Sequence, residues 1–103
     1  MKYYLCKLIA PRPVFGTDFT QAETLAMQEH VAHWSKAMQQ GKVIAFGPVA
    51  DPKGFWGAAI AQVESEAELQ DLTAKDPVIL AGLGFQYETY VMPQIKLRDP
   101  QPA

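Results

Sequence analysis

Apolar and polar positions alternate along the chain in a way that divides it into strands and helices. Residues 2–10 are rich in aromatic and aliphatic side chains and are predicted as a strand, ended by Pro11-Arg12-Pro13. Thr20 and Glu23 have the spacing of a capping box, which starts a helix. Met27, Val31, Trp34 and Met38 recur at helical spacing and are expected to form its core stripe, with Leu25 falling away from it. Gly41 is the expected stop. Residues 42–46 read as a short strand closed by Gly47-Pro48. Residues 55–63 follow the turn at 51–54 as the second half of a hairpin. Ser65 and Glu68 repeat the capping-box spacing and open a second helix that runs to Lys75. A short apolar piece at 78–83 leads into a last strand at 85–92. The order β-α-β-β-α-β is that of the ferredoxin-like α+β class: a four-stranded antiparallel sheet with two helices on one face.

An antiparallel sheet covered on one side only should alternate apolar with polar residues. These strands do not. Phe55, Trp56, Ala58, Ala59, Ile60 and Ala61 supply apolar groups to both faces, and Tyr3, Leu5 and Ile9 oppose Tyr4, Cys6 and Leu8 in the first strand. Two helices cover one face, so a homodimer packed sheet against sheet is expected.

Asp76 breaks the apolar pattern of the second helix. Leu69 and Leu72 mark its buried stripe, and the next position on that stripe is Asp76, where Pro77 turns the backbone out of the helix. A buried carboxylate needs a cation or hydrogen-bond donors. The chain has two histidines, His30 and His33, both on the first helix. His30 flanks the core stripe and His33 lies further round, so His30 is the expected partner. A histidine in such a place is otherwise a boundary residue bonded to a backbone carbonyl. A His-Asp pair fixes the imidazole tautomer and leaves one nitrogen free to move a proton. The His30/His33 spacing does not suit a helical metal pair, and no metal is expected. Arg12, stiffly held between two prolines, is either a solvated loop charge or an anion clamp at a pocket mouth. No nucleophile motif and no phosphate-binding glycine pattern is present.

Composition narrows the classes. With 103 residues, 49% of them hydrophobic and 19% charged, the chain suits one globular domain and not a disordered segment. A net charge of −2 with scattered Lys and Arg gives no footprint for nucleic acid or an anionic membrane. The single cysteine, Cys6, is expected to be a buried thiol in a reducing compartment. The start lacks a signal-peptide pattern, no run is long enough to span a membrane, and a cytoplasmic location is expected. Residues 1–95 are predicted as one domain and 96–103 as a polar, proline-containing, frayed tail.

The succession His30-x-x-x-Trp34, Gly41-Lys42-Val43, Gly47-Pro48, Asp76-Pro77 and Ala81-Gly82 resembles the YCII-related domain family over nearly the whole chain. The resemblance implies a dimeric α+β barrel. It implies a His-Asp active-site pair at His30 and Asp76, with Trp34, Pro77 and, by a weaker match, Arg12 as substrate contacts. Relatives are linked to elimination of chloride from hydroxylated aromatic rings, and others occur with regulatory proteins. The long loop at 11–19 is where the pocket of this chain is expected to differ.

The expectation is therefore a cofactor-independent lyase or isomerase acting on a small, partly apolar molecule. His30 is its acid-base group and Asp76 the orienting partner. The rival is a small-molecule-binding or protein-interaction module in which the His-Asp pair is structural. A catalytic pair lines an open pocket with one nitrogen free; a structural pair is closed over.

Overall fold

The computed structural model describes residues 1–99. Its elements are β1 (Lys2–Ile9), α1 (Gln21–Gln39), β2 (Val43–Val49), β3 (Trp56–Val63), α2 (Glu66–Ala74), α3 (Pro77–Leu80) and β4 (Gln86–Met92). The strands form one antiparallel sheet in the order β2-β3-β1-β4, so β1 and β3 are central. This is the ferredoxin-like α+β arrangement.

The expected start signals operate. The Thr20 hydroxyl accepts from the Glu23 amide, and the Glu23 carboxylate accepts from the Thr20 amide, a complete capping box. At α2 the Ser65 hydroxyl accepts from the Glu68 amide.

Three departures have physical reasons. β2 runs through Gly47-Pro48 to Val49. Pro48 has no N–H to donate, which an edge strand tolerates because one side of it has no partner. The short apolar piece after Asp76 begins with a helical turn, α3, so three helices pack on the sheet. Asp76 is its N-cap and Pro77 its first residue, where a missing N–H costs nothing. Finally, the buried face of α1 is Glu23, Ala26, His30, Trp34 and Ala37. Val31 and Met38 are 48% and 37% exposed, so the expected stripe is displaced by about one residue.

Tyr4, Cys6 and Leu8 of β1 and Ala59, Ala61 and Val63 of β3 point to the helix side and are buried. All of these but Leu8 meet Trp34 and Ala37 of α1 and Leu69 and Leu72 of α2 in one cluster. A second cluster joins Leu8, Ala26, Val78 and Phe85, and Tyr87 packs against both. The opposite sheet face carries Tyr3, Leu5, Ile9, Trp56, Ala58 and Ile60, all half-buried. Lys7 lies on that face over the Trp56 ring, 4.8 Å from its centroid. Part of the predicted tail, residues 100–103, lies outside the described residues. No helix among the described residues is long and apolar enough to cross a membrane.

Candidate functional site

Asp76 sits in the break between α2 and α3, which aims its side chain inward. It is 0% exposed. Its Oδ1 accepts from the Val78 amide at 3.0 Å, the N-cap bond of α3. Its Oδ2 accepts from His30 Nδ1 at 2.6 Å, from Trp34 Nε1 at 2.8 Å, and from the Tyr87 hydroxyl. The Trp34 N–H is shared, since it also reaches the Tyr87 oxygen at 2.8 Å.

Burial pushes the Asp76 pKa up, but hydrogen bonds from His30, Tyr87 and Trp34 outweigh it, and the net shift is downward. The Tyr87 hydroxyl moves the other way. Burial and then the Asp76 carboxylate raise its pKa well above the tyrosine range, so it stays a donor. An ionised Asp76 surrounded by donors requires Nδ1 of His30 to carry its proton. In neutral His30, Nε2 then presents a lone pair.

That Nε2 has no hydrogen-bond partner among the described residues, yet none of their buried side-chain nitrogens or oxygens is left unpaired. Nε2 is therefore reached from outside, consistent with a His30 side chain that is 11% exposed. His30 lines a cavity of about 190 Å³ between α1 and the sheet. Its walls are almost wholly apolar and include Leu8, Val14, Phe19, Phe46, Phe55 and Phe85, with Trp34 and Tyr87 beside His30.

His33 takes a different role. Its Nε2 donates to the Leu72 carbonyl at 2.8 Å and ties α1 to the end of α2. This is the boundary-histidine arrangement, filled by the other histidine. The two imidazoles thus hold different partners, His30 the Asp76 carboxylate and His33 a backbone carbonyl.

The structure brings His30, Asp76 and Trp34 together. It does not bring Arg12 to them. The Arg12 guanidinium forks onto Glu23, with Nη1 to Oε2 at 2.6 Å and Nη2 to Oε1 at 2.9 Å, and it does not line the cavity. Pro77 is half-buried at the first turn of α3, outside the cavity wall, where it fixes the backbone that aims Asp76. Tyr87 also belongs to the site, and nothing in the spacing of the last strand singles it out. Cys6 also lines the cavity, and burial pushes its thiol up to about 12, which leaves it an inert wall.

A ferredoxin-like α+β domain with a buried His-Asp pair opening on an apolar cavity defines the class of the protein. The YCII-related domain model matches residues 1–93, and the chain belongs to that family. A search of curated proteins returned no match.

Proposed function

We propose that the cavity is the acid-base site of a cofactor-independent enzyme of lyase or isomerase type, acting on a small, partly apolar molecule. One observation carries the reading: Nδ1 of His30 is locked on a carboxylate, Nε2 has no hydrogen-bond partner among the described residues, and the residue lines an apolar cavity. A cavity of about 190 Å³ suits a one-ring molecule, since a cavity of about 150 Å³ takes up benzene.

In this reading Nε2 accepts a proton from an O–H, or from a C–H next to a carbonyl. The imidazolium formed lies against Asp76, whose charge stabilises it in a water-poor setting. The same Nε2–H then returns the proton, to a different substrate atom in an isomerase or to the leaving group in a lyase. Such help is worth about 10²–10⁴ in rate. Trp34 and Tyr87 hold Asp76 in place, and the apolar wall orients the substrate.

The test is deuterium uptake from D₂O into a panel of small enolisable ketones and phenols, followed by NMR. His30→Ala is expected to lose at least about 10²-fold in exchange rate with an unchanged circular dichroism spectrum. A fully active His30→Ala protein ends the proposal. Ligands that bind beside His30 without exchange or turnover point instead to a binding module with a structural pair.

We also infer that the open sheet face packs against a second copy of the chain, in the manner of a dimeric α+β barrel. The support is its row of half-buried apolar side chains on the two central strands.

A further inference from the structure

The connection between β1 and α1 is held from several sides at once. Besides its fork onto Glu23, Arg12 donates through Nη2 to the Asp18 carbonyl at 2.7 Å, which closes the loop on itself. The Phe15 amide donates to Asp18 Oδ1 at 2.6 Å. Glu23 is only 4% exposed and lies on the same α1 face as His30. Two glycines let other loops press in. A Cβ on Gly84 would lie 2.9 Å from the Pro11 Cβ, and one on Gly54 would lie 3.2 Å from the Pro13 Cα.

What this loop delivers is a cavity wall. Val14 is 1% exposed, and with Phe19 it lines the cavity. The Val14 carbonyl accepts from the Phe55 amide at 2.7 Å, which joins the loop to the opposite rim, where Phe55 also lines the cavity. Among the described residues, the fork is the one polar tie from residues 11–19 to α1. Its two parallel bonds fix angle as well as distance, which a single lysine ammonium does not.

We propose that Arg12 and Glu23 are positioning residues: their fork latches the loop at 11–19 as a fixed wall and limits the cavity to an occupant of about one ring. The inference rests on the reading of the cavity as a ligand site. It gives Arg12 a function other than either alternative read from its position, a solvated loop charge or an anion clamp.

The test compares phenol with 2-naphthol as probes, titrated while the Trp34 indole N–H signal is followed by NMR. The wild type is expected to favour phenol by about tenfold or more. Arg12→Gln and Glu23→Gln should bring that ratio close to one, and Arg12→Lys should not restore it. Glutamine at 23 keeps the capping-box partner, so α1 still starts normally. Val14→Ala, which thins the wall and spares the fork, should also admit 2-naphthol.

Amide exchange supplies a ligand-free readout. In the fork variants the Phe55 amide should exchange about tenfold faster, while the Trp34 indole N–H keeps its rate. A merely structural role would weaken both probes alike. An unaltered ratio, or unaltered Phe55 exchange, overturns the latch and leaves the site standing. If neither probe shifts the Trp34 signal even in the wild type, the cavity is not a ligand site and the size limit falls with it.

Discussion

Asp76 accepts hydrogen bonds from four groups, three of them side chains that can be removed separately. Asp76→Ala leaves His30 and Tyr87 without their acceptor and Trp34 with only the Tyr87 oxygen. A loss of about 3–5 kcal/mol is expected, read from urea unfolding. Tyr87→Phe removes one donor and leaves the Trp34 bond to the carboxylate, so a smaller loss of about 1–2 kcal/mol is expected.

Acid provides an independent check. The Asp76 pKa is lowered in the folded state. Its contribution is therefore present above the ordinary carboxylate value and is lost as pH falls through the folded value. Glu23 behaves alike: Arg12 and the Thr20 amide hold it down to about 2, against 4.5 for the free group, so its share is lost across that interval. Unfolding monitored between about pH 5 and pH 2 should show stability falling with acid, and Glu23→Gln should remove part of the slope. Stability that is flat across this range would contradict both assignments. Cys6, fully buried with its thiol pushed up to about 12, should resist a thiol reagent such as DTNB until the protein unfolds.

At the scale of elements, α1 shows how a helix can bury polar groups and expose apolar ones. Its inward face carries Glu23 and His30, whose partners arrive from the β1-α1 loop and from the α2-α3 break. Ala26 and Ala37 keep the helix close to the sheet. Apolar periodicity alone selects Val31 and Met38, because nothing in it records that a distant residue will satisfy a polar one. The signals that worked were local. Capping residues and the Gly41 stop bond to or constrain their own neighbours, so they act locally, whereas Gly47-Pro48 did not end β2 because an edge strand tolerates the missing N–H. Asp76 was also legible, since its place on the Leu69–Leu72 stripe forced it inward whatever its partner. Thr20→Ala should cost about 1 kcal/mol by unpairing the Glu23 amide.

For the molecule as a whole, the question is the uncovered sheet face. Tyr3, Leu5, Trp56 and Ile60 lie on it half-exposed, while the helices occupy the other side. If a second copy covers it, sedimentation should give a dimer, and Ile60→Lys should give a monomer, because it sets a charge in the middle of the face. A wild-type monomer at micromolar concentration would remove the sheet-to-sheet proposal. Because the His30 cavity lies on the helix side, the monomeric variant also tests whether the site works without a partner.

The linear order of residues was enough to predict the β-α-β-β-α-β succession without α3, the ferredoxin-like topology and the burial of Asp76, and to point to His30 as its partner. Each follows from spacing, from end signals, or from the cost of a lone buried charge. Folding alone decided that Tyr87 and Trp34 share the Asp76 oxygen, that His33 takes the carbonyl, and that Arg12 turns to Glu23. Those choices depend on which side chains meet across the core. Trp34 and Tyr87 are 53 residues apart in the chain and 2.8 Å apart at their bonded atoms, and no local pattern encodes that distance.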